Sequence, residues 1–173
     1  MNRGLFASLA SLLLVAAPAV AQHEHDMSSM ASTTPPPLFS DLGSWTHAVT
    51  ATGEAQQYFD QGLRLYYGFN HAEAIRAFRE ATRLDPACAM AWWGIAAAAG
   101  PNINMPMDEA GGKIADEAIA QAKALAPKAN LAEQAYIAAL AARYSPDVLT
   151  SRAALDSAYC DAMRLLAKRF PDD

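Results

Sequence analysis

The chain has 173 residues, 53% of them hydrophobic and 18% charged, with a formal net charge of −5. That length and balance fit one mainly helical domain with a core of its own. The acidic balance argues against nucleic acid or an anionic membrane surface as a partner, since either calls for a basic patch.

Residues 1–21, MNRGLFASLASLLLVAAPAVA, have the layout of a secretory signal peptide. Arg3 supplies the positive start, Leu5 to Val15 the apolar run, and Ala19-Val20-Ala21 a small-residue cleavage site. An uncleaved anchor fits less well, because the apolar run is short for a span of about 20 residues and Pro18 interrupts its end. The expected mature protein starts at Gln22, is periplasmic or secreted, and has no integral membrane segment. Loss of Arg3 leaves 12 Lys and Arg against 18 Asp and Glu, so the balance stays acidic.

Residues 22–41 are polar, rich in Ser and Thr, and broken by Pro35 to Pro37, which predicts a largely disordered tail. His23, His25, Asp26, Met27 and Met30 cluster there. Imidazole and thioether together suit copper, with His23, His25, Met27 and Met30 as ligands; the alternative is a solvated linker that binds nothing. HEHDM resembles the opening of the zinc-protease pattern HExxH, but Met27 stands where the second His belongs. Residues 42–53 form a lead-in segment, with Leu42, Trp45 and Val49 available to pack against the first helical hairpin.

From residue 54 the helical period takes over, in about three helical hairpins spanning 54–86, 87–127 and 129–171. Tyr58, Gly62, Leu65, Tyr66 and Phe69 share a face in the first helix. After a turn at Gly68 to Asn70, Asn70 and Glu73 have capping-box spacing. The second helix carries Ala74, Ile75, Phe78 and Ala81 inward and Arg76, Arg79, Glu80 and Arg83 outward, and Pro86 stops it. The next pattern opens at Trp92. GPNINMPM, residues 100–107, then predicts an ordered loop in which Asn102 and Asn104 are candidate ligand groups, or satisfy local backbone while Ile103 and Met105 fill a gap. Helix resumes from Asp108 to Leu125. It resumes again from Leu131 to about Tyr144, where Asn130 and Glu133 repeat the capping spacing. The last helix, roughly Ser151 to Phe170, carries Leu155, Tyr159, Met163, Leu166 and Phe170 on one face, and Pro171 closes it. Cys88 and Cys160 could bond in an oxidising compartment or stay separate thiols; with no CxxC, redox catalysis and a thiolate zinc site lack support.

These residues resemble the tetratricopeptide repeat, a 34-residue helix–turn–helix with the skeleton W-x2-L-G-x2-Y, A-x3-F and P. The first hairpin supplies Tyr58-x2-Gln61-Gly62-x2-Leu65, then Ala74-x3-Phe78, Ala81 and Pro86, departing at Gln61 and Leu65. The second supplies Trp92, Ile95, Ala96, Ala115-x3-Ile119, Ala122 and Pro127, with extra residues between its helices. From LGSW at residues 42–45 through GPNIN and EQAYIAAL, the chain is similar to the amino-terminal part of a group of exported bacterial tetratricopeptide-repeat proteins that continue into further repeats. That likeness implies a fragment, a truncated product or a naturally short form. It also implies an all-α fold, with helix–turn–helix repeats stacked as a short right-handed α-solenoid.

In such a stack the first helix of each repeat lines a concave surface that binds segments of partner proteins. On that register Phe59, Leu63, Tyr66 and Tyr67, with Met90 and Trp93, face the groove, while Tyr58 and Trp92 are core. The partner-binding candidates are therefore Phe59, Leu63, Tyr66, Trp93, Asn102 and Asn104. An aromatic groove favours an apolar or mixed peptide over an acidic one, and only Arg64 offers a nearby cation. No GxSxG, phosphate loop or His-paired nucleophile is present, and His47 and His71 stand alone. The expectation is a non-catalytic scaffold for an unidentified protein or peptide in the cell envelope, without a cofactor. The alternatives are a copper-handling protein built on the tail, and a small-ligand receptor built on residues 100–107.

Overall fold

The computed structural model describes residues 34–145 and 151–173. Six α-helices account for most of them: α1 (Gly53–Tyr67), α2 (His71–Leu84), α3 (Ala89–Ala99), α4 (Glu109–Leu125), α5 (Leu131–Ala141) and α6 (Arg152–Arg169), with a 3-10 turn at Ala126–Lys128. No strand occurs among the described residues. No helix among them is long and apolar enough to cross a membrane.

Short local signals start and stop these helices. Asn70, Asp108, Asn130 and Ser151 each accept a hydrogen bond from the backbone N–H three residues on, at Glu73, Gly111, Glu133 and Ala154. The two capping boxes are half-closed. Glu73 turns to Arg76 instead (2.8 Å), and Glu133 is drawn elsewhere. At the end of α1, Asn70 N–H donates to Leu65 O and Phe69 N–H to Tyr66 O, both about one turn back. Phe69 sits there with φ 60°, in the left-handed region usually left to glycine.

The helices pack in chain order as hairpins, α1 on α2 and α3 on α4, with α2 also against α3, and α5 on α6. The arrangement is an all-α stack of helical hairpins. Ten of the eleven residues of α3 are buried, which makes it the central helix, touched by α1, α2, α4 and α5. A helix apolar on every side gives periodicity nothing to orient. Burial of the two tryptophans differs from the expectation: Trp93 is 8% exposed, and Trp92 is only half-buried.

Phe78 joins the first hairpin to the second. Its ring is fully buried and lies against two glycines. A Cβ on Gly62 of α1 would stand 2.5 Å from Phe78 Cε1, and one on Gly94 of α3 would stand 2.6 Å from Phe78 Cδ1. Ala74, Ile75 and Ala81 are buried beside it, as the helical period implies. Glu80, expected outward, is 7% exposed because Arg83 folds over it, with Nη2 2.6 Å from Oε1.

The third hairpin is looser, and Leu166 is the one buried residue on α6. Arg143 Nε and Arg152 Nη2 both reach Asp156 Oδ1 at 3.1 Å, and Arg143 lies 5.0 Å over the Tyr159 ring. Cys88 is buried, Cys160 is exposed, and neither is paired.

Candidate functional site

The site begins with polar side chains on α1 that are costly in a core unless something bonds them. Asp60 is 5% exposed and Gln61 is 1% exposed. Their partners are main-chain groups of residues 34–52, an irregular stretch that hooks around α1. On one side Tyr58 Oη donates to Pro36 O (3.1 Å), and Arg76 Nη2 donates to Thr34 O (3.3 Å). Gln61 donates to Pro37 O (2.9 Å) and accepts from Phe39 N–H (2.8 Å). Beyond Gly43, whose φ is 78°, the chain returns along the other side. There Arg64 Nε donates to Trp45 O (2.6 Å), and Asp60 Oδ1 accepts from His47 N–H (2.9 Å). Gln56 donates to His47 O (2.8 Å) and accepts from Val49 N–H (2.9 Å). Since Arg64, Asp60 and Gln56 meet Trp45, His47 and Val49 in that order, the returning arm runs opposite to α1.

Each glutamine does the same thing. Its carboxamide bonds the C=O of one residue and the N–H of the residue two further on, as a neighbouring parallel strand would. The amide identity matters, because a carboxylate could accept but not donate. Glu133 on α5 closes the far end. It is 2% exposed, and its Oε1 accepts from Thr50 N–H (2.6 Å), Thr50 Oγ1 (3.0 Å) and Asn130 Nδ2 (2.8 Å). Its Oε2 is buried without a partner.

Between the returning arm and the inner helices lies a cavity of about 140 Å³. Trp45 and His47 come from the arm, Phe59, Leu63 and Tyr67 from α1, Met90 and Trp93 from α3, Tyr136 from α5, and Asp173 from the segment after α6. Three of the candidate residues, Phe59, Leu63 and Trp93, therefore come together. Phe59 and Leu63 form its base at 0% and 3% exposure, buried because α3 and the arm cover α1 on that side. Trp93 Nε1 donates to Tyr136 O at 3.2 Å. Burial raises the Tyr136 phenol above its ordinary pKa, and the charge and hydrogen bond of Asp173 raise it further.

Tyr66 lies elsewhere. Its ring is 5.5 Å from those of Tyr67 and His71, and its phenol is raised first by burial and then by Tyr159. Asn102 and Asn104 are also away from the cavity. Asn102 Oδ1 accepts from the backbone N–H of Asn104 (2.9 Å) and Met105 (3.0 Å), which folds the loop on itself. Ile103 is 89% exposed and Met105 44%, so neither fills a gap. His23, His25, Met27 and Met30 lie outside the described residues. Among the described residues no group of three or more His, Cys, Asp or Glu is placed to hold a metal.

Sequence reasoning missed Gln56 and Asp60 altogether, and read Glu133 only as a capping residue. Gln61 did leave a signal, as the polar residue standing where the repeat skeleton has leucine. Compared with protein-family models, curated proteins and solved structures, the chain matches none.

Proposed function

We propose that the chain is an exported tetratricopeptide-repeat scaffold that binds an extended segment of a partner protein in the cell envelope, with no catalysis of its own. The observation that carries this reading is the pair of glutamine carboxamides that bond main-chain groups two residues apart. Main-chain recognition is indifferent to most side chains of the bound segment, and it is how proteins take up extended peptides. The chain's own residues 34–52 hold the face, so a partner segment binds by displacing them. An attached segment competes at high effective concentration, which sets a threshold on the partner's affinity. The pattern of residues 1–21 supports export.

Two baits test the proposal against an envelope fraction. One is the full chain. In the other a glycine–serine stretch of equal length replaces residues 36–50; its larger ordering entropy weakens its hold on the face. The expected result is one partner captured more strongly by the second bait and competed off both by a synthetic peptide of residues 34–52. A partner indifferent to that peptide, or no partner on either bait, overturns the proposal.

A further inference from the structure

The rings around the cavity touch one another in an unbroken series. Tyr67 meets Trp45 edge-on at 6.2 Å, Trp45 stacks on His47 at 6.0 Å, His47 meets Tyr136 edge-on at 6.4 Å, and Tyr136 meets Trp93 edge-on at 5.9 Å. Interplanar angles of 84°, 83° and 75° at the edge-on contacts make them adjoining walls rather than one stack. Phe59, Leu63 and Met90 complete an apolar base. One carboxylate, Asp173, is at the rim, with Oδ1 3.7 Å from His47 Nε2. Among the described residues no Lys or Arg lines the space.

We propose that this cage binds a small, soluble alkylated ammonium cation of the choline type. An anion would meet aromatic rings and the Asp173 carboxylate, with no Lys or Arg among the described lining residues to offset them. A primary ammonium has three strongly hydrated N–H donors, and most of the lining is aromatic or apolar, so it loses more on leaving water than a quaternary ammonium does. A quaternary ammonium donates nothing. It presents methyl groups to the apolar base and spreads its charge over aromatic faces, which is how such cations are held elsewhere. The volume of about 140 Å³ suits a head of that size. Asp173 adds the matching charge and disfavours a ligand whose ammonium is tied to a phosphate.

Titration of the purified protein with choline, followed by tryptophan fluorescence and calorimetry, tests the assignment. Three probes accompany it: 3,3-dimethylbutan-1-ol, which has choline's shape without its charge, ethanolamine and phosphocholine. Saturable choline binding is expected, with each of the other three at least about tenfold weaker. Trp45 and Tyr67 are 52% and 65% exposed, so Trp45→Leu and Tyr67→Leu leave the helical signal intact. Each is expected to weaken choline by about tenfold, and Asp173→Asn to weaken it as well. Equal binding of the alcohol would reduce the site to an apolar hole and overturn the proposal. So would the absence of saturable choline binding, unchanged affinity in both folded ring variants, or tighter binding of phosphocholine.

Discussion

Phe78 packs against bare backbone on two helices, so the tolerance of this contact is set by two missing methyl groups. Gly62→Ala places Cβ 2.5 Å from a fully buried ring that has nowhere to retreat. Overpacking of this kind costs about 1–3 kcal/mol, against a helix-propensity gain of about 1 kcal/mol for losing the glycine. Net destabilisation is expected in urea unfolding followed by circular dichroism. A more stable Gly62→Ala protein would show that α1 can move off α2 freely. Cys88 makes a second prediction at this scale. Burial raises its thiol from 9.0 to about 11, so the folded state favours the neutral form. The stabilisation is therefore complete below pH 9 and is lost as the pH rises through 11. It amounts to about 2–3 kcal/mol. Burial also raises Tyr58, Tyr66, Tyr136, Tyr144 and Tyr159 above their ordinary value, so the quantity to measure is the stability difference between wild type and Cys88→Ala. That difference should shift toward the variant on going from about pH 8 to about pH 11, and parallel profiles would contradict it. Exposed Cys160 should alkylate readily at about pH 8 while Cys88 resists.

At the scale of elements, Glu133 hydrogen-bonds the returning arm to α5 rather than α1, beside the Tyr136 ring that meets His47. Glu133→Ala leaves the Thr50 N–H and the Asn130 side chain without their acceptor. Thr50 and Asn130 are exposed, so water replaces part of what is lost, and the net worth of such a hydrogen bond is about 0.5–1.5 kcal/mol. A loss within that range is expected, with faster amide exchange at Thr50 and Val49 and little change in α2. Uniformly faster exchange would mean that Glu133 holds the whole stack instead.

The helices themselves were legible because their signals are short-range. Asn70 with Glu73, Asn130 with Glu133, and prolines at 86 and 127 act within a turn of where they stand, and α2's inward residues follow the helical period. The hook was not legible. Gln61 bonds residues 22 and 24 positions away, and Thr50 bonds one 83 positions away. No periodicity encodes such pairings. Gln61 marked the place without naming its partner. The candidate aromatics were legible as a set but not in their placement, since α3 is apolar around its whole circumference and neighbouring Trp92 and Trp93 look alike in sequence.

For the whole molecule, the two proposals are mechanically joined. Trp45 and His47 wall the cage and also belong to the arm whose main chain Arg64, Asp60 and Gln56 hold. Any partner segment that displaces the arm takes two of the cage's rings with it. A cation in the cage therefore stabilises the arm-bound state and must weaken the partner, and by reciprocity the partner weakens the cation by the same factor. If displacement abolishes the cage, the partner's apparent affinity falls by one plus the ratio of cation concentration to its dissociation constant. That is about a hundredfold at a hundred times that constant. The check is to titrate a peptide of residues 34–52 carrying Trp45→Ala and His47→Ala, which supplies the main chain without the two rings, into the full chain, with and without saturating choline. Competition on that scale is expected in wild type and should fall about tenfold in Trp45→Leu. Peptide affinity unchanged by choline in wild type, where choline itself binds, would mean that the cage survives displacement of the arm. The cavity would then have to close from the helices alone, with Tyr67, Trp93 and Tyr136 as its walls.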